Sequence, residues 1–233
     1  MRPHKIVSHE EWLAARERHL KNEKALTRMR DMVAADRREL PWVKVEKNYV
    51  FDTSEGKKRL ADLFGNNSQL IIQHFMWRDD LGQGCTGCSI HTDHAQGALV
   101  HLQNHDVSFV MVSRAPLADL MGYRKRMGWT IPWVSSLGSD FNHDYAVSFD
   151  PAKRVEGASN YNFGTSAFGG EEAPGLSVFR RGADGAIYHT YSTYGRGLEM
   201  VNGTYHMLDL TSKGRDESGL PWPMAWVRRH DQY

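Results

Sequence analysis

The chain has two cysteines, Cys85 and Cys88, three positions apart. A secreted fold stapled by disulfides carries more cysteines in a shorter chain. The first residues, Met1 to Trp12, are polar and charged, with no apolar core of the secretory kind. In that setting the spacing reads as a redox dithiol or as part of a metal site. The flanking sequence separates the two readings. Leu70-Ile71-Ile72-Gln73-His74-Phe75-Met76-Trp77 is a nearly continuous apolar run, suited to a central strand buried on both faces. Residues 78–87 form a loop with Gly82, Gly84 and Gly87 around Cys85. From about Ser89 to Asn104 the pattern turns helical, with Ala95, Ala98, Leu99 and Leu102 on one stripe. The pair therefore falls where a buried strand hands over to a helix. Unpaired backbone N–H groups and the helix dipole there favour a thiolate on the first sulfur.

That placement assigns Cys85 as nucleophile and Cys88, one turn further in, as resolving thiol. Thr86 and Gly87 between them become the substrate-facing backbone. The metal reading gains superficial support from His91 and His94. If residues 85–94 are helical, however, successive candidates rotate by about 300° and the outer two lie about 13.5 Å apart along the axis. One ion cannot take all four, so no metal or other cofactor is expected.

The rest of the chain supplies the frame. Residues 1–40 hold 17 charged residues, with Ser8 and Glu11 placed as a capping box and Leu26, Met29 and Val33 at helical spacing. They read as an N-terminal helical arm that Pro41 ends. Residues 41–233 form the folded domain. Val43–Val45 and Tyr49–Phe51 are expected as a hairpin around Glu46-Lys47-Asn48, and Leu60, Leu63 and Phe64 as a helical turn. Val107–Val112 is a second apolar strand. A helix starts at Pro116 and stops at Gly128. Residues 129–173 form an irregular insertion in which Ile131–Val134 and Ala146–Phe149 have strand character. Leu176–Phe179 and Ile187–Thr193 flank Ala183-Asp184-Gly185, a strong hairpin signal. A last helix fits Leu198–Leu208, and the tail from Thr211 is irregular. Strand, helix, strand, helix, hairpin and final helix is the order of a thioredoxin-type α/β fold, a mixed sheet flanked by helices with a right-handed crossover.

With 29 Lys+Arg against 28 Asp+Glu, the chain lacks the basic excess of a nucleic-acid binder. No stretch approaches 18 apolar residues, so no membrane helix is expected. Tyr188, Tyr191 and Tyr194, with His189, read as cross-strand packing. Arg228-Arg229-His230 reads as a solvated tail.

Several longer stretches resemble one family: Leu40-Pro41-Trp42-Val43, His74-Phe75-Met76, Gly84-Cys85-Thr86-Gly87-Cys88-Ser89, and Arg126-Met127-Gly128-Trp129-Thr130-Ile131-Pro132-Trp133-Val134-Ser135-Ser136. Further on come Pro174-Gly175-Leu176-Ser177-Val178-Phe179, His189-Thr190-Tyr191-Ser192-Thr193-Tyr194 and Trp226-Val227-Arg228-Arg229-His230-Asp231. The sequence is similar, almost end to end, to the bacterial thioredoxin-like proteins catalogued as domain of unknown function 899. These are often labelled predicted dithiol-disulfide oxidoreductases. The resemblance implies thiol-disulfide exchange through Cys85 and Cys88, acting in the cytoplasm on a protein or small-molecule disulfide or thiol, with a separate electron donor. It also implies that Pro174 is the cis-proline facing the dithiol in such folds, with Pro132 the competing candidate, and that Ala173 offers backbone N–H and C=O groups to an extended substrate. His74 then stands where thioredoxins carry a buried acid that shuttles the resolving thiol's proton. Two alternatives remain. One is a thiol peroxidase, although Cys85 occupies the threonine's place in the Thr-x-x-Cys peroxidatic pattern. The other is a redox-inactive module binding a metal or a partner.

Overall fold

The computed structural model describes residues 4–150, 161–166 and 168–233. It divides into two compact units, Met1–Pro41 and Trp42–Tyr233. The first is built on helix α1 (His9–Arg38). Its start is a capping box in which the Ser8 hydroxyl accepts from the Glu11 N–H at 3.2 Å and the Ser8 N–H donates to the Glu11 carboxylate at 3.1 Å. Glu10 and Glu11 in the first turn and Arg37 in the last complement the helix dipole.

The second unit is an α/β structure around one eight-stranded sheet. Its strands are β1 (Val43–Lys44), β2 (Val50–Thr53), β3 (Gly56–Arg59), β4 (Gln69–His74), β7 (Val107–Ser113), β8 (Trp133–Ser135), β9 (Gly175–Arg181) and β10 (Ile187–Tyr194). A separate ribbon pairs β5 (Trp77–Arg78) with β6 (Gln83–Gly84). The helices are α2 (Thr86–Asn104), α3 (Leu117–Arg126) and the short α4 (Phe141–Asp144) and α5 (Gly203–Leu208). The sheet runs β1-β10-β9-β4-β7-β8-β2-β3. β4, β7 and β8 are parallel, joined by crossovers through α2 and α3, while β9 and β10 return antiparallel beside β4. The order β10-β9-β4-β7, with a crossover helix between the parallel pair, makes the fold thioredoxin-like.

The side-chain period of two divides β4 between two cores. Ile71 and Phe75 join Leu99, Met111, Leu120 and Trp133 on the face covered by α2 and α3. Leu70 and Ile72 join Phe51, Phe64, Val112, Phe141 and Phe179 on the other. Buried aliphatic and aromatic groups of this kind contribute roughly 1.5–3 kcal/mol each.

The expected hairpin of Val43–Val45 with Tyr49–Phe51 does not form. β1 pairs with β10 and β2 pairs with β3 and β8, so the two segments lie toward opposite edges of the sheet. Lys47 in the expected turn pairs instead with Asp140 and Asp144 at 2.6 and 2.8 Å. The turn falls at Ser54-Glu55, where Gly56 takes a φ of +102° that a side chain would resist. The helix expected over Leu198–Leu208 is interrupted. A 3-10 turn, Gly195–Val201, gives way at Asn202, whose side chain caps α5 by accepting from the Tyr205 N–H at 3.4 Å. In the insertion, only the bridge Ser148–Glu172 stands for the strand expected at Ala146–Phe149.

Candidate functional site

The two cysteines sit where β4 and the β5–β6 ribbon deliver the chain to the start of α2. Cys85 is the N-cap of α2 in an extended conformation, and Cys88 lies one turn in. Both are free thiols, Cys85 half-buried and Cys88 buried. Met76 holds both: its carbonyl accepts from the Cys85 N–H at 3.1 Å, and its N–H donates to the Cys88 sulfur at 3.4 Å.

The environment drives the two sulfurs apart. The Cys88 S–H donates to the Cys85 sulfur, and the N–H groups of Cys88 and Gly87 add to it. With Arg78 nearby, these outweigh burial and pull the Cys85 thiol down from 9.0 to about 6. The same hydrogen bond and burial push the Cys88 thiol well up. One sulfur is thus held as an anion at neutral pH, and the other is kept protonated beside it.

Of the loop glycines, Gly84 is a steric necessity. A Cβ on Gly84 would lie 2.7 Å from the Phe75 ring and 2.9 Å from that of Tyr123. At Gly87 it would meet the Met224 methyl at 3.5 Å and the Cys85 sulfur at 3.8 Å, so Met224 lies against the dithiol turn. Thr86 and Gly87 are half-buried, and the chain's own Met224 covers part of the surface assigned to substrate.

Three of the sequence assignments change. His74 borders a cavity that also touches Cys88, yet its imidazole lies on the far face of the sheet. There it stacks 6.0 Å from Tyr145, and its Nε2 bonds the Ser177 hydroxyl at 2.8 Å. It cannot pass a proton to Cys88, because the strand's alternation turns it away; desolvation holds it neutral, with a pKa near 3. The Ala173–Pro174 bond is trans. Pro174 does lie beside Cys88 on the cavity wall. Its carbonyl accepts from the Tyr161 hydroxyl at 2.7 Å, and the Ala173 N–H donates to the Val147 carbonyl at 2.8 Å. The insertion thus occupies the N–H of buried Ala173 that was assigned to an extended substrate.

The tail supplies the third correction. Arg229 is not solvated but 6% exposed, beneath the dithiol loop. It donates to the Gly84 carbonyl at 2.7 Å, to the Tyr123 hydroxyl at 2.9 Å and to Gln232 at 3.2 Å. Tyr123 in turn bonds Ser89 at 3.0 Å, and the Ser89 hydroxyl donates to the Cys85 carbonyl at 2.8 Å. On either side His230 bonds Asp93 at 2.8 Å and Arg126 grips Asp231 at 2.7 and 3.1 Å. Burial alternates along this strap, with Val227 and Arg229 buried and Arg228 and His230 exposed. Gln73 was also missed. It faces α2, donating to the Cys88 carbonyl at 3.1 Å and accepting from Thr92 at 3.3 Å.

Beside Cys88 lies a cavity of about 270 Å³ between α2, β4, β9 and the turn at Leu198, walled by groups such as Ile71, Ala98, Leu102 and Leu176. His91 and His94 also border it. His94 has both nitrogens engaged, with the Ile90 carbonyl at 2.7 Å and the Thr204 N–H at 3.0 Å. Burial lowers the pKa of His91 to about 4. Among the described residues no three His, Cys, Asp or Glu side chains gather as a metal site, and no helix is long and apolar enough to cross a membrane.

No curated protein matches the chain. Among solved structures it is similar to a Xylella fastidiosa PrxQ mutant, with 13% identity and a TM-score of 0.45 over 71% of this chain and 94% of that one. It is also similar to the peroxidoxin BcpB of Mycobacterium tuberculosis, with 11% identity and a TM-score of 0.47 over 74% and 99%. A Xanthomonas campestris peroxiredoxin Q gives 11% and 0.47 over 71% and 95%. The family model described as bacterial protein of unknown function, DUF899, matches residues 1–233, and the chain belongs to that family.

Proposed function

We propose that the protein is a dithiol-disulfide oxidoreductase of the cytoplasm, working through Cys85 and Cys88. The observation that carries the reading is the opposite displacement of the two thiols at the N-terminus of α2. The Cys85 thiolate attacks one sulfur of a disulfide substrate. The substrate S–S bond breaks, its second sulfur leaves as a thiolate and takes up a proton, and a mixed disulfide forms on Cys85. Cys88 then gives up its proton to the departing sulfur and attacks Cys85, releasing the substrate's first half as a thiol and closing the Cys85–Cys88 bond. The Met76 N–H, already directed at the Cys88 sulfur, stabilises the charge that develops there. A thiol donor returns the pair to its reduced form.

Trapping tests this. Cys88→Ser retains the nucleophile and removes the resolving thiol, so it should accumulate partners as mixed disulfides on Cys85 and lose turnover in disulfide reduction. A variant that turns over a disulfide as fast as the wild type would overturn the reading. A hydroperoxide consumed equally fast by both proteins would assign the chemistry to a single peroxidatic thiol.

A further inference from the structure

We infer that the cavity behind Cys88 is the entry site of the electron donor, and that this donor is a small apolar thiol which reduces the oxidised pair by attacking Cys88. The inference rests on the exchange reading above and names the partner that reading leaves open.

The cavity borders Cys88 and not Cys85. Thiol-disulfide exchange runs with attacking, central and leaving sulfurs in line, and the sulfur whose thiolate is more stable leaves faster. A thiol lodged in the cavity lies against Cys88, and attack there makes Cys85 the leaving sulfur. Cys85, where the backbone N–H groups of Cys88 and Gly87 and the nearby Arg78 still favour the anion once the Cys88 S–H is gone, is the better leaving group. The walls select an apolar molecule, since Ile71, Ala95, Ala98, Phe109 and Leu176 surround it and Val201 at the border is exposed. A site of this size and lining holds a compact hydrocarbon or aromatic body.

The polar groups narrow the chemistry further. His94 is fully bonded, Gln73 is tied to Cys88 and Thr92, and the His74 ring faces the other side of the sheet. That leaves Cys88 and His91, one helical turn apart on α2. Among the described residues His91 makes no hydrogen bond, and burial, which lowers its pKa to about 4, keeps the imidazole neutral and able to accept a hydrogen bond from the donor's S–H.

The step balances. RSH gives up its proton to solvent. The thiolate bonds to the Cys88 sulfur, the Cys85–Cys88 bond breaks, and its electron pair leaves on Cys85. A second RSH, or a second thiol of the same molecule, attacks the donor sulfur. It gives up its proton as it forms RS–SR, and Cys88 leaves as a thiol. The disulfide substrate reoxidises the pair from the Cys85 side, so two electrons pass through the dithiol from the cavity to the outer face.

The experiment uses the full chain, oxidised with diamide, and follows reduction of the Cys85–Cys88 bond by benzyl mercaptan and by glutathione. The wild type should favour benzyl mercaptan. Ala98→Phe and, independently, Ala95→Leu should lower the ratio of the two rates by at least about tenfold, the discrimination a methylene or two of pocket volume gives. His91→Phe, which removes the hydrogen-bonding nitrogen, should slow benzyl mercaptan by up to about tenfold. Acid quenching in a single turnover should leave the benzyl adduct on Cys88. An adduct on Cys85, or a rate ratio unmoved by both cavity variants in folded protein, overturns the donor site while leaving the exchange reading intact. Failure of diamide to form the Cys85–Cys88 bond overturns the exchange reading, and the donor site falls with it.

Discussion

Replacing Cys88 by alanine removes the donor that does most to lower the Cys85 thiol, while the Gly87 and Cys88 N–H groups stay in place. A hydrogen bond to a charged group contributes about 1.5–3 kcal/mol. At 1.36 kcal/mol per pK unit, its loss should raise the Cys85 midpoint by about 1–2 units. From about 6 it would move to roughly 7–8, and the tenfold excess of thiolate over thiol at pH 7 would shrink to parity or reverse. Alkylation rate and ultraviolet thiolate absorbance against pH both read the midpoint. Cys88→Ser keeps a donor at the same position and should stay nearer the wild type. A midpoint unchanged in Cys88→Ala would show that the helix N-terminus alone sets the thiolate, and the argument from the paired sulfurs would fail. The sign of the linked stability follows. Cys85 titrates below its unfolded value, so its contribution is complete above pH 9 and is lost as pH falls through about 6. Cys88, displaced upward, works in the opposite sense above pH 9.

Gly84→Ala drives a methyl into the Phe75 and Tyr123 rings and should cost about 1–3 kcal/mol, read as a lower thermal midpoint; an unchanged midpoint would mean the rings yield freely. Arg229→Ala removes the bonds to Gly84 and Tyr123 and should cost about 2–4 kcal/mol in urea unfolding, with Cys85 alkylation less selective. Arg229 contributes nothing to the loop if both measurements match the wild type. Buried His74 stays neutral down to about pH 3, whereas its unfolded form takes a proton below 6.5. Stability should therefore fall as pH drops through that window, with His74 adding a slope approaching about 1.4 kcal/mol per pH unit, and His74→Gln should flatten the curve by that share.

The sequence was most legible where one physical pattern dominates. The apolar run at 70–77, the helical stripe after Ser89 and the turn at Ala183-Asp184-Gly185 each carry a strong local period, and β4, α2 and the β9–β10 hairpin follow them. The dithiol at the strand-to-helix junction follows from the same patterns. Assignments that rested on a single residue's orientation fared worse. One step of register separates His74 from Gln73, and that step decides which of them faces α2. The hairpin proposed around Glu46 failed because β1 finds its partner in β10, nearly 150 residues on, through pairing that no local window reveals. The Ala173 N–H was committed to Val147 by the insertion, whose irregular sequence has no period to read. Arg229 was hidden for a related reason. A buried cation in a short extended segment looks like a solvated one until its partners at Gly84 and Tyr123 are placed.

The strap that seats Arg229 also imposes an order in time. The bond from Arg229 to Gly84 spans 145 positions, and that from His230 to Asp93 spans 137. At a synthesis rate of about 5–20 residues per second, the cysteines leave the ribosome roughly 7–30 seconds before the residues that brace their loop. During that interval the pair is a nascent dithiol without its Arg229 brace, and its exchange partners are whatever thiols surround the emerging chain. Braced geometry at Cys85 therefore waits until the chain has been made through His230, and a ribosome stalled before that point holds a cysteine loop that is still unbraced.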